Sequence, residues 1–216
     1  MPVIKSQYDA LPDWSELTFY EVNRIKEDRF YTFIKRAEKN ELFVLEGECL
    51  IKSASFLKKV KEFEMFEIPD GMNSFELYPT TGYCGFIIAG GKWNDDHGSI
   101  GTFKIANNQF PKNDGDPADY DGERRTDFDN HFHDCDEFWI IYEGKGKIAT
   151  EGNINIVEAG NCVATKAGDH HDMIDVYEPI RGAYLETSLM GRKRSGHLWE
   201  RTLAAKGKIN IIQKQS

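Results

Sequence analysis

Cysteine is scarce in this chain: Cys49, Cys84, Cys135 and Cys162 are the only four in 216 residues, and no two form a Cys-x-x-Cys pair. That excludes a disulfide-built scaffold and makes reduced thiols the default. Long apolar runs are missing as well. The opening Met1-Pro2-Val3-Ile4-Lys5-Ser6 has no apolar stretch of signal-peptide length, and nothing later reaches the length of a membrane helix. The expectation is a soluble, cytoplasmic protein with no membrane partner. Positive charge is in deficit, with 27 Lys and Arg against 36 Asp and Glu, a net charge of −9 and no long basic run. Nucleic-acid phosphates would be repelled rather than attracted, so nucleic acid is excluded as a partner. What is present, 40% hydrophobic and 29% charged residues, suits one compact unit or two small, closely packed ones with a sizeable core.

The most informative stretch runs from Asn130 to Gly144, Asn-His-Phe-His-Asp-Cys-Asp-Glu-Phe-Trp-Ile-Ile-Tyr-Glu-Gly. Side chains alternate along a strand, so His131 and His133 share a face, and a strand resuming at Glu137 keeps that parity. Trp139 and Ile141 continue the same face as an apolar floor. Glu143-Gly144 reads as the turn that reverses the strand. Two imidazoles and a carboxylate over an apolar wall describe a metal pocket. Taken alone, a His-x-His is more often a solvated strand face or a hydrogen-bonded pair, and Cys135, between His133 and Glu137, is a small loop-packing residue or a group lining the site.

A fourth donor lies in Gly160-Asn-Cys-Val-Ala-Thr-Lys-Ala-Gly168-Asp169-His170-His171. Gly168 suits a tight turn, after which His171 starts the next strand. Adjacent residues on a strand point in opposite directions, so only one of His170 and His171 can join the cluster, and the Gly-x-x-His spacing favours His171.

These two motifs resemble those of the cupins. His131, His133, Glu137 and Gly144 match the ligand-bearing core of the first cupin motif, and Gly160, Gly168 and His171 match the second. The sequence departs from the pattern at Arg125 in place of Gly, Lys166 in place of Pro and Asp175 in place of Asn, none of which is a ligand position. The resemblance implies an all-β fold of double-stranded β-helix (jelly-roll) barrels and one divalent ion, Fe, Mn, Ni or Zn, held by His131, His133, Glu137 and His171.

Elsewhere, Thr18–Val22, Phe30–Phe33, Glu41–Leu45, Cys49–Ile51 and Glu64–Ile68 read as strands, with turns at Glu46-Gly47 and Pro69-Asp70-Gly71. An internal repeat emerges when Gly47, Gly71 and Gly85 are set against Gly144, Gly168 and Gly182, each pair 97 residues apart. The same offset sets Ile34, Arg36, Asn40 and Ser74 against the four ligands. The chain therefore resembles a bicupin: a degenerate repeat at 1–90, a connecting loop at 91–126 and a metal-binding repeat at 127–216. The loop contains one strand, Thr102–Ile105, and an acidic tract, 113–117, and is expected to cover the second barrel's mouth. Arg124 and Arg125 could pair with a substrate carboxylate or phosphate. A helix is expected over 195–205, then a strand over 208–212, with His197 as a helix-end or packing histidine.

Three imidazoles and a carboxylate leave two positions of a six-coordinate ion for water or substrate. The resemblance implies an enzyme acting on a small polar substrate, a sugar derivative or oxygenated organic acid, by isomerase or dioxygenase/decarboxylase-type chemistry. The alternative is a non-catalytic carbohydrate-binding or storage-type cupin. Trp139, Asp175 and Tyr184 are the expected substrate contacts, no catalytic residue is assigned, and pairing through barrel faces makes a homodimer reasonable.

Overall fold

The computed structural model describes residues 2–106, 131–150 and 153–198. Among them there is no helix; twelve strands form two six-stranded sheets. In chain order they are β1 (Val3–Ile4), β2 (Leu17–Lys26), β3 (Tyr31–Ile34), β4 (Lys39–Lys52), β5 (Leu57–Lys61), β6 (Met65–Glu67), β7 (Ser74–Gly91), β8 (Ile100–Ile105), β9 (Glu137–Thr150), β10 (Asn153–Glu158), β11 (Cys162–Thr165) and β12 (His171–Glu186). The first sheet runs β2-β7-β4-β5, with β3 on β7 and β6 on β4. The second runs β1-β11-β9-β12-β8, with β10 on β9. The fold class is all-β, in the form of a cupin-type barrel. Val3–Ile4 pairs with Cys162–Val163, so the chain's first strand completes the second sheet rather than the first.

The apolar runs of the long strands are continuous because both of their faces are buried. On β4, Phe43 and Leu45 face a core shared by the two sheets, while Leu42 and Val44 face a core built only from first-sheet residues. On β9, Phe138 and Ile140 face the shared core, and Trp139 and Ile141 face a third, inside the second sheet. Each sheet thus curls around its own interior, and the two pack back to back.

The turns expected at Glu46-Gly47 and Glu143-Gly144 are corrected by the structure. β4 and β9 pass straight through them, each with its glycine at positive φ, +70° for Gly47 and +93° for Gly144. Pairing with β7 shifts register between Val44 and Glu46 and again between Gly47 and Cys49, and β12 shifts opposite Gly144. A left-handed glycine inside a strand makes a bulge that bends the strand without reversing it. One strand can then serve both walls of a curled sheet. The strands expected at Glu41–Leu45 and Cys49–Ile51 are consequently the two arms of β4.

Some pairings in the two sheets correspond at the 97-residue offset, although the long ladders slip by one residue, Leu42 pairing with Ile88 but Trp139 with Tyr184. Ile34 pairs with Ser74, and His131 forms an antiparallel bridge with His171. Leu42 pairs with Phe66, and Trp139 with Val163.

The helix expected from residue 195 is absent from the described part of that segment. Gly196 is left-handed at φ +89°, and Leu198 makes an antiparallel bridge with Phe132. The helical spacing of the apolar residues was outweighed by a β-bridge partner far away in sequence. The rest of that helix, the strand at 208–212, the acidic tract at 113–117, Arg124 and Arg125 lie outside the described residues. The strand read at Thr102–Ile105 is the end of β8.

One carboxyl in the shared wall has a measurable cost. Glu41 on β4 is 3% exposed, sits opposite Glu67 and leaves Oε2 without a hydrogen-bond partner. Burial, then repulsion from Glu67, pushes its pKa up from 4.5 to about 8, against a smaller pull from Lys39. Between these values the folded state holds a proton that the unfolded state has lost. Stability therefore falls as pH rises from about 4.5 to about 8, at up to ~1.4 kcal/mol per pH unit. The Glu41→Gln variant lacks this dependence, so its melting-temperature advantage over the wild type grows across that window. Parallel wild-type and variant curves in thermal melts at several pH values would rule this out.

Candidate metal centre

The site forms where the two sequence motifs are stitched together by backbone. His171 N donates to His131 O at 2.8 Å, and Gly168 N donates to His133 O at 3.0 Å. Gly168, at φ +85°, makes the turn that aims both amides back at the first motif. Asp136 locks the other side: its carboxylate accepts from Ala167 N at 2.9 Å, and its carbonyl accepts from Thr187 N at 2.9 Å. Burial pushes the Asp136 carboxyl up to about 6.

On this frame β9 opens with Glu137, whose Oε1 accepts from Trp139 Nε1 at 2.6 Å, two residues along the same face. Glu137 Oε2 lies 2.5 Å from His171 Nε2 and 3.3 Å from His133 Nε2. The His131 ring centroid is 5.1 Å from that of His133 and 4.7 Å from that of His171. His133, Glu137 and His171 each bring a ligand atom to within 4.8 Å of the others; so do His131, His133 and His197, and so do His133, Cys135 and Glu186. His133 belongs to all three groups. His170 points elsewhere, its ring 5.1 Å from Phe132.

Electrostatics suit a cation. Burial, then the neighbouring histidines, holds His131 well below its ordinary 6.5. Burial also takes His133 down to about 4, against the attraction of Glu137. Both are neutral at physiological pH, the form in which imidazole binds metal. Burial alone would raise Glu137, but His133, His171 and the hydrogen bonds from His171 and Trp139 outweigh it and hold the carboxyl down at about 2. His171 is buried too, yet the Glu137 carboxylate outweighs burial and raises it. Its Nδ1 lies 3.1 Å from the Asp169 carbonyl, which can only accept, so Nδ1 carries a proton and Nε2 faces the cluster. Both ring nitrogens of His133 are buried without a well-formed hydrogen bond. Neutral imidazoles, an ionised carboxylate and buried nitrogens short of partners fit a divalent ion.

Of the expected substrate contacts, Trp139 is at the cluster, its ring 5.5 Å from that of His171. Tyr184 stands opposite Trp139 in the β9–β12 ladder, and its hydroxyl shares a 2.9 Å hydrogen bond with Ser99 Oγ. Asp175 lies past the bulge after Met173, where its carboxylate pairs with Lys147 at 3.8 Å.

Glu186, at the end of β12 and outside both sequence motifs, also reaches the cluster. In the structure it is the ladder partner of Glu137, and its Oε1 is 3.6 Å from His133 Nδ1. Burial, then Glu137, pushes its carboxyl up to about 7. Its facing follows from β12 register, which four irregularities displace. Cys135 is buried beside it, and burial pushes its thiol up, away from the reactive thiolate. His197, read as a helix-end or packing histidine, lies in no helix and stacks on His131 with centroids 3.8 Å apart and planes 12° from parallel.

At the corresponding end of the first sheet, Ile34, Arg36, Asn40 and Ser74 stand where the second carries its donors. An open cleft of 740 Å³ there is lined by Lys35, Arg36, Lys39 and Lys92 together with Glu38 and Asp70. Each of those cations is paired with a carboxylate.

No protein-family model matches the chain. Among solved structures, the fold resembles Bacillus subtilis oxalate decarboxylase, described with Mn(II) centres, at TM-score 0.55 and 10% identity over 94% of this chain and 80% of that one. It also resembles the conserved protein PA5104 of Pseudomonas aeruginosa, of unknown function, at TM-score 0.53 and 13% identity over 88% and 95%. Oxalate decarboxylase is a cupin-domain protein, and likeness at this identity shows the fold alone. Among curated proteins, the uncharacterized protein y4oW of Sinorhizobium fredii is 37% identical over 194 residues, covering 90% of this chain and 88% of the relative. With its ligand-type side chains gathered inside a cupin barrel, the chain belongs to the same family as y4oW.

Proposed function

We propose that this protein is a metal-dependent cupin enzyme acting on a small polar substrate, a sugar derivative or oxygenated organic acid, by isomerase or dioxygenase/decarboxylase-type chemistry. His131, His133, Glu137 and His171 would hold one divalent ion. The observation that carries the reading is the convergence of His133, Glu137 and His171 within 4.8 Å, with Glu137 ionised and His133 neutral. A divalent ion bound there would supply Lewis acidity, polarising a coordinated carbonyl or carboxylate oxygen.

The chain's own residues would do the rest. The Asp169 carbonyl would fix the His171 ring, and the Trp139 indole would orient Glu137. Glu186 is a carboxyl outside the expected ligand set yet inside the same cluster. A titratable group in that place favours an enzyme over a pocket that only binds. The matched pairings at the 97-residue offset support a bicupin whose first repeat, within 1–90, has lost its donors, joined through 91–126 to a metal-binding repeat at 127–216. Pairing of barrels into a homodimer and a cytoplasmic location belong to the same reading.

Elemental analysis of untagged protein, beside the Glu137→Gln variant, tests it. About one equivalent of ion per chain is expected in the wild type, falling several-fold in the variant as the site loses its one anionic ligand. Mn(II) is the first ion to try, given the Mn(II) centres of the oxalate decarboxylase neighbour. Full occupancy in the variant would refute the ligand assignment. A wild type that takes up no metal would leave the binding-protein reading.

A further inference from the structure

We propose that His197 is a fifth protein ligand, delivered to the ion by a C-terminal strap, so that the loaded site offers substrate one open position rather than two. The inference rests on the metal-binding reading above and adds to it a ligand outside both sequence motifs.

The strap is tied first to Asp96 and then to the first motif. Leu189 N donates to Asp96 O at 2.9 Å, and Met190 N donates to Asp134 O at 2.7 Å. Further on, Phe132 N donates to Leu198 O at 3.1 Å, and Leu198 N returns a bond to Phe132 O at 2.9 Å. Leu198 and Phe132 form a small buried cluster of their own, 1% and 4% exposed, with the Arg192 guanidinium 5.5 Å from the centre of the Phe132 ring. Lys193 and Gly196 both take left-handed backbone, at φ +50° and +89°, and bring the strand-like residues 197 and 198 back across the barrel end. An isolated packing histidine would not call for this apparatus.

Position does the rest. Phe132 lies between His131 and His133, so the residue bridged to it carries its neighbour straight to the donors. The His197 ring centroid is 3.8 Å from that of His131 and 5.2 Å from that of His133, and one nitrogen of each of the three lies within 4.8 Å of the others. Two ligands about 2.1 Å from one ion stand about 3 Å apart when adjacent and about 4.2 Å when opposite. A shift of roughly an ångström closes that gap. While His131 and His197 are stacked, 12° from parallel, their lone pairs lie in nearly parallel planes that cannot meet at one ion, so the His197 ring must reorient to coordinate.

The test uses the full-length protein and Mn(II), with binding followed by titration and inner-sphere water counted by water-proton relaxation. In His197→Ala, affinity is expected to fall about ten-fold, the lower end of what loss of a supporting group at a metal site costs. Relaxation per bound ion should rise about two-fold as a second water fills the vacated position. His170→Ala, which removes a nearby imidazole facing Phe132, should change neither. Far-ultraviolet circular dichroism and melting temperature establish that each variant is folded. As a second variant, His197→Gln keeps bulk and polarity without an imidazole and should also show the added water. Unchanged affinity and relaxation in both His197 variants, with wild type binding Mn(II), would overturn the proposal and leave the metal site standing. A wild type that binds no Mn(II), Fe(II), Zn(II) or Ni(II) would overturn the metal reading itself.

Discussion

Replacing His133 by alanine should strip the protein of metal while leaving it folded. Its imidazole belongs to all three groups of donor atoms, standing 3.3 Å from Glu137 Oε2 and 3.6 Å from Glu186 Oε1. Loss of groups that merely support a ligand costs up to about 100-fold in metal affinity, so loss of the shared ligand should exceed that. The fold should tolerate the change. A neutral side chain is removed from a segment whose backbone is already tied through Gly168 N to His133 O. Metal content after dialysis against a weak chelator reads the result, with circular dichroism as the control for folding. A variant that retains a full equivalent of metal would show that His131, His171 and Glu137 form a site without it.

A second large effect is expected far from that cluster. Phe43→Ala on β4 should destabilise the protein by about 3–5 kcal/mol, from lost burial and the cavity left behind. Phe43 is fully buried in the core shared by the two sheets, alongside Leu17, Ile87, Phe138 and Leu185. Domains of ordinary stability have about 5–15 kcal/mol in all, so the melting point should fall by many degrees. Chemical denaturation gives the number, and a loss below about 1 kcal/mol would mean that the two sheets do not rely on this contact. Metal content measured well below the new melting point should match the wild type, because Phe43 points away from the barrel interiors. Together the two variants separate loss of the site from loss of the fold.

Much of the barrel can be read directly from the amino acids. Period-two alternation placed Glu137 and Trp139 on one face, and the indole N–H does bond that carboxylate. Glycine spacing singled out Gly47 and Gly144, both left-handed inside long strands, although they bend their strands instead of ending them. Positive φ is a local property of glycine, whereas bending or reversal depends on which strand waits alongside, and that strand is far away in the chain. The same limit explains the helix expected from residue 195. Apolar spacing there is compatible with a helix, but Phe132 offers Leu198 an extended partner that the spacing cannot disclose.

For the donor cluster the division follows the same physical line. Residue chemistry and short-range periodicity act within a few positions, so strand parity groups His131, His133 and Glu137, and the Gly-x-x-His spacing together with the motif resemblance adds His171 over His170. Glu186 and His197 could not be grouped this way. Glu186 reaches the cluster through a β12 register displaced by bulges, and His197 through a bridge spanning 66 residues from Phe132 to Leu198. The sequence by itself determined the strand plan, the acidic surface and the donor-rich motif. Only the tertiary structure decided which distant side chains close around those donors, because hydrogen bonding between strands sets register across a sheet and nothing in local composition encodes it.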